Sequence, residues 1–141
     1  MPGFILLNHC KTCNPFAHGL IYTSKTNTML YITISLFALA AVAGALILKN
    51  WLTSEPASRT TVYLHGIFAA AGLVLLIFFA FKNPDNYPKA GLILFVTGAL
   101  GGFYMFAADL KKKFSPMWLA IVHALLGVSG FLMLLFFVFG G

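Results

Sequence analysis

Residues 65–81 read HGIFAAAGLVLLIFFAF, and residues 123–139 read HALLGVSGFLMLLFFVF. Each stretch is free of charged residues, and its histidine opens it; the second holds one further polar residue, Ser129. Seventeen residues of this kind do not suit a soluble helix, which needs a polar face toward water. They suit a helix whose surroundings are hydrocarbon. Two further runs are of the same character, so four stretches are long and nearly free of charge: Met29–Leu48, Thr61–Phe81, Ala90–Ala108 and Met117–Phe139. About 20 apolar residues in a helix cross the roughly 30 Å hydrocarbon layer. Inside lipid the backbone must bond to itself, so these runs are predicted as helices and not as open sheet.

The whole chain agrees with its parts. Of 141 residues 60% are hydrophobic and 9% charged, and the mean hydropathy is +0.92. The expectation is an all-α, integral membrane four-helix bundle. Residues 1–28 form an N-terminal extramembrane segment, and residues 29–139 form the transmembrane domain, with helices at about 29–48, 61–81, 90–108 and 117–139. Met1-Pro2-Gly3 offers no basic start and Phe4–Leu7 is too short an apolar core, so a signal peptide is not read here. The net charge of +6 comes from nine Lys and Arg spread over the connections. It calls for lipid headgroups as the partner and for no nucleic acid.

The connections are short and carry prolines: Pro56 in the first, Pro84 and Pro88 in the second, and Ser115-Pro116 at the end of the third. The last pair reads as an N-cap followed by a proline at the first helical position. Short connections make successive helices antiparallel neighbours. The second and fourth helices then run the same way, with both histidines toward one membrane face and both termini together on the other. Lys49, Arg59, Lys111, Lys112 and Lys113 lie on the histidine side, and Lys11, Lys25, Lys82 and Lys89 on the other. Five against four places the termini outside by the positive-inside rule.

An offset of 58 residues aligns His65–Phe81 with His123–Phe139 without a gap. His65, Gly72, Leu76, Phe78, Phe79 and Phe81 meet identical residues at 123, 130, 134, 136, 137 and 139. The same offset lays Leu36, Phe37, Ala41 and Gly44 on Leu94, Phe95, Ala99 and Gly102. The chain therefore reads as two repeated helical hairpins. An even number of helices per unit relates the repeats by an axis along the membrane normal, so equivalent residues can face each other.

An imidazole inside the hydrocarbon layer marks a functional site by default. Two at matching depth point to one object held between them, a haem iron first. Residues at i+4 and i+7 share a helix face. Beside His65 these are Ala69 and Gly72, and beside His123 they are Gly127 and Gly130. Such small side chains let a flat macrocycle lie close to a helix, with Phe68, Leu76, Leu126, Phe131 and Leu134 as apolar walls. Arg59, six residues before His65, is placed to pair with a propionate. The competing reading is that small residues serve helix–helix contact and that each histidine merely bonds a neighbour.

Outside the membrane runs, His9, Cys10, Cys13 and His18 crowd into ten residues. C-x-x-C is a redox or metal spacing. Asn14 follows it, so it is no covalent haem attachment site. Three readings stay open: a reduced pair without a role, a disulfide, or a zinc site.

With histidines on separate helices, the arrangement resembles the small four-helix membrane cytochromes b over roughly Met29–Phe139. The likeness is one of architecture and rests on His65 and His123. It implies haem b with two histidine axial ligands. Each ligating helix here carries one histidine where two-haem members carry two, so a two-haem wire across the membrane is not expected. With no intramembrane carboxylate, no Ser–His–Asp set and no nucleotide loop, the chain is not expected to be an enzyme by itself. The expected role is an electron-transfer or accessory subunit of a larger membrane complex, or a homo-oligomer, in a bacterial inner membrane or an organellar membrane. The alternatives are a cofactor-free structural or assembly subunit and a chlorophyll-type pigment protein.

Overall fold

The structure, a computed structural model, describes residues 15–53, 55, 57–111 and 116–140, with side chains from residue 28 onward. Four helices follow one another: α1 (Pro15–Leu52), α2 (Arg59–Lys82), α3 (Lys89–Leu110) and α4 (Met117–Phe139). Among the described residues there is no strand. Thr28–Leu52 of α1 and the whole of α2, α3 and α4 are long and apolar enough to cross a membrane. The three later helices, of 24, 22 and 23 residues, are about 33–36 Å long at 1.5 Å per residue.

The outer surface has the character hydrocarbon requires. Leu100, Phe103 and Phe136 are 70%, 73% and 73% exposed. Apolar exposure of this kind over all four helices would aggregate in water. The chain is accordingly described as an integral membrane protein.

Helix ends differ from the sequence reading where polarity and helicity part company. α1 has 38 residues and starts at Pro15, inside the stretch assigned to the extramembrane segment. Thr23-Ser24-Lys25-Thr26-Asn27-Thr28 is polar but contains no proline. Its polarity ends the apolar run without ending the helix. Pro116 is the N-cap of α4, with ψ 138°, and Met117 is the first helical residue. Proline therefore sits one position earlier in the helix numbering than the sequence suggested, and Ser115 lies outside the described residues. Asn83 closes α2: its Nδ2 donates to Phe79 O at 3.0 Å, and its backbone N–H reaches Phe79 O at 3.0 Å. Pro84 follows and prevents continuation.

The helices pack in cyclic order. α1 lies against α2 and α3 against α4, and smaller contacts join α1 to α4 and α2 to α3. Neither diagonal pair, α1 with α3 or α2 with α4, brings Cα atoms within 8 Å. The core is off-centre along the axis. On α1 the buried residues are Leu30, Thr33, Phe37 and Ala40; on α2 they are Gly72, Leu76 and Phe79. α3 buries Gly91 and Gly98, and α4 buries Gly130 and Leu134. None is buried in the described parts of 41–53, 57–71, 99–111 or 116–129. The dense half is therefore the one nearer the α2–α3 connection. Its one buried polar side chain, Thr33, donates to Met29 O at 2.9 Å and so carries no unmet bond.

Candidate functional site: two imidazoles across the bundle

His65 is the seventh residue of α2, and His123 is the seventh of α4. The two helices are diagonal, and the side chains span the space between them. The ring centroids are 5.9 Å apart and the ring planes meet at 74°. The first histidine bonds across to α1, where its Nδ1 lies 2.8 Å from Ala40 O. The second bonds to α3, where its Nδ1 lies 2.9 Å from Gly98 O. A carbonyl oxygen can only accept, so Nδ1 is the donor in both rings and carries the proton. In the neutral ring this selects the tautomer whose Nε2 carries the lone pair. Among the described residues neither Nε2 has a hydrogen-bond partner, and no fully buried side-chain nitrogen or oxygen is left unsatisfied. Both Nε2 atoms therefore border open space.

The neighbouring helices allow this approach through glycine. A Cβ at Gly44 would lie 3.0 Å from Cε1 of His65, and one at Gly102 would lie 2.9 Å from Cε1 of His123. Carbon atoms prefer about 3.5–4.0 Å. Ala40 and Gly98, which accept the two bonds, are the last buried positions on α1 and α3. The imidazoles thus sit at the boundary where dense packing stops.

Below them a second pair crosses the other diagonal. Phe37 of α1 and Phe95 of α3 stack with centroids 3.9 Å apart and planes within 3°. A Cβ at Gly72 would meet the Phe37 ring at 3.1 Å, and one at Gly130 would meet the Phe95 ring at 3.3 Å. The stacked rings occupy the space beside these two glycines. Leu76 and Leu134, each 0% exposed, lie on the next turn.

Of the predicted site residues, His65 and His123 are brought together. Gly72 and Gly130 face the phenyl stack. Gly127 faces open space, with nothing within 4 Å of a Cβ placed on it, and Ala69 is half-buried. Arg59, the first residue of α2, lines a small cleft with Val62, Tyr63, Phe106, Asp109 and Leu110. It is exposed and lies about 9 Å along the helix from His65. Cys10, Cys13 and His9 lie outside the described residues, and the side chain of His18 does too. The backbone acceptors at Ala40 and Gly98 were not legible in the sequence, because every residue type carries a carbonyl.

Contacts recur at a spacing of 58 residues: His65 to Ala40 and His123 to Gly98, Gly44 beside His65 and Gly102 beside His123, Gly72 on Phe37 and Gly130 on Phe95. Comparison with known proteins finds no matching family model, no matching characterised protein and no matching solved structure.

The donor set limits what the site can hold. Among the described residues no group of three or more His, Cys, Asp or Glu side chains is placed to hold a metal ion. Two imidazoles alone leave a metal under-coordinated, so any metal held here needs further ligands, which the four nitrogens of a macrocycle could supply. Two imidazoles on opposite sides of one metal, with metal–nitrogen bonds of about 2 Å, would have centroids about 6 Å apart. The observed 5.9 Å suits that geometry.

Proposed function

We propose that the protein binds one haem b between α2 and α4, with His65 and His123 as axial ligands, and serves as an electron-transfer or accessory subunit of a larger membrane complex. The observation that carries this reading is the pair of facing imidazoles, each with Nδ1 bonded to a backbone carbonyl and Nε2 free. Metal-ligating histidines typically donate their other ring N–H to a carbonyl or carboxylate, which orients the ring and raises its basicity. Haem would supply one-electron redox chemistry, and two histidine ligands would leave no open coordination position for oxygen. The chain's own part is to aim the two nitrogens, keep water from the hydrocarbon half and close the floor with Phe37 and Phe95. Arg59, Lys49 and Lys111, all exposed at this end, are the cations available to the propionates.

The recurrence of contacts at 58 residues supports a chain built as two repeated hairpins about a pseudo-twofold axis. One imidazole from each hairpin then meets its counterpart on that axis. The same reading places both termini on the membrane face away from the histidines.

The second reading is structural, and the hydrogen bonds themselves favour it. His65 ties α2 to α1 and His123 ties α4 to α3, so each imidazole can serve as a clasp within its hairpin with no cofactor. The visible spectrum of protein purified in mild detergent separates the readings. A bis-imidazole haem spectrum is expected. A chlorophyll-type spectrum would assign the same two ligands to magnesium, and a colourless preparation that takes up no added haem would leave the clasp.

A further inference from the structure

We infer that Gly44 and Gly102 are positioning residues that set the tautomer and aim of the two imidazoles. Neither glycine is required by its own backbone, for neither has a φ in the left-handed region. Nor does either make room for another helix backbone. The three nearest atoms to a Cβ at Gly44 are Cε1, Nδ1 and Nε2 of His65, at 3.0, 3.1 and 4.0 Å. At Gly102 they are the same three atoms of His123, at 2.9, 3.4 and 3.7 Å. Elsewhere in the bundle the reasons differ. A Cβ at Gly91 would meet the backbone oxygen of Gly130, and those at Gly66 and Gly101 would meet nothing within 4 Å. Among the described glycines only Gly44 and Gly102 are reserved for an imidazole.

Each ring is held between two constraints on one neighbouring helix. The carbonyl of Ala40 or Gly98 draws Nδ1 in, and the bare Cα four residues later lets the ring approach. An alanine methyl would press on the Cε1–Nδ1 edge. The ring could relieve that contact only by turning away, which lengthens the bond that holds the proton on Nδ1. Nε2 would then lose its fixed direction and part of its donor strength. For the functional consequence this rests on the haem reading. The clamp itself does not.

The test uses the full chain in detergent or nanodiscs. In apoprotein with 15N-labelled histidine, both membrane rings should carry the proton on Nδ1. Gly44→Ala should disturb the His65 resonances alone, and Gly102→Ala those of His123 alone. Gly101→Ala, beside Gly102 but with nothing within 4 Å of its Cβ, should disturb neither. Protons on Nε2 in the unmodified chain, or equal disturbance by Gly101→Ala and Gly102→Ala, would overturn the inference. In haem-loaded protein each positioning variant should hold haem about 10–100-fold less tightly, the usual cost of losing a ligand's outer partner. The midpoint potential should move upward, because a weaker donor stabilises oxidised iron less. Unchanged affinity and potential in both variants would also overturn it. A chain that binds no haem yet shows the expected proton positions sinks the proposed function and leaves the clamp standing. If Gly102→Ala fails to accumulate, the His123→Ala background decides. With the ring gone the methyl should be tolerated, and Gly102→Ala should add no further loss. Equal damage in that background would mean the glycine serves helix packing.

Discussion

The two halves of the bundle use apolar residues in opposite ways. In the half near the α2–α3 connection, large side chains from all four helices fill the centre. Leu30, Phe37, Leu76, Phe79 and Leu134 form a buried cluster, with Leu73, Phe95 and Phe131 packed against it. Around and beyond the histidines no described side chain is fully buried, and small residues recur among larger half-buried ones such as Phe68 and Leu126: Ala41, Ala43 and Gly44 on α1, Ala69, Ala70 and Ala71 on α2, Ala99, Gly101 and Gly102 on α3, Ala124 and Gly127 on α4. Small residues in membrane helices usually bring backbones together and become buried. Here none of those eleven is buried. The difference teaches that smallness has two uses within one fold. At Gly91 and Gly130 it permits close packing, and at the histidine level it keeps side chains out of the centre. Stability should therefore reside in one half and ligand binding in the other.

The largest effect should come from the histidines. His65→Ala or His123→Ala should each remove most bound haem, because a six-coordinate iron loses half its axial bonds. The double variant should be about as deficient as the worse single one, since the two act as a unit. Haem content by pyridine haemochrome is the measurement. Full occupancy in the double variant would break the assignment of binding to this half. The fold should survive in all three, because no histidine contributes to the buried cluster.

The dense half is probed next. Leu76→Ala and Leu134→Ala remove fully buried side chains and should each cost about 2–5 kcal/mol. Leu125→Ala, at a position 61% exposed, should stay within about 0.5 kcal/mol. Denaturant titration of the apoprotein in detergent reads both. Similar losses at buried and lipid-facing positions would erase the contrast between the halves.

Most of this fold could be read before the structure, and the exceptions have physical causes. α2, α3 and α4 begin and end within two residues of their apolar runs, because charged or proline-bearing connections end helix and hydrocarbon together. α1 does not, because hydropathy reports where the membrane stops and says nothing of whether the helix stops there. The two histidines stood out as the only ionisable side chains of their segments. Their acceptors did not, since a carbonyl leaves no trace in residue type. Helical spacing alone predicts space beside the two histidines at Gly72 and Gly130. That spacing gives a face and not its occupant, and the occupants are Phe37 and Phe95 from the neighbouring helices. The signal for them was the 58-residue offset, which pairs Phe37 with Phe95 in the sequence.

That distinction can be sharpened on α4 itself. Gly130→Leu drives a branched side chain into Phe95 and toward the backbone of α3. It should destabilise the apoprotein by about 1–3 kcal/mol, the usual cost of overpacking. Gly127→Leu has open space before it. It should leave apoprotein stability nearly unchanged and lower haem affinity, because the added side chain enters the half where the ligand is placed. Thermal unfolding of apoprotein and haem titration together resolve the pair. Loss of haem from Gly130→Leu with no loss of stability would mean that the phenyl stack moves aside for the ligand and that the floor of the site lies deeper.

The smallest effect is expected from the N-terminal cysteines. Ala40 marks the level of His65 on α1, and Pro15 is 25 residues earlier on the same helix. That is about 37 Å at 1.5 Å per residue. Cys10 precedes Pro15 by five residues, and five extended residues reach at most about 18 Å. Even folded straight back along α1, a Cys10 thiol would remain roughly 19 Å short of the imidazoles. Replacing Cys10 and Cys13 together by Ser should leave the haem absorption bands and the midpoint potential unchanged. A stability change that appears only under oxidising conditions would indicate a disulfide, and one that follows added chelator would indicate zinc. Loss of the haem bands in the double Ser variant would require α1 to break between Pro15 and Ala40 and its N-terminal part to fold back toward the histidines. The long first helix, and with it the separation of the cysteines from the ligand half, would then be wrong.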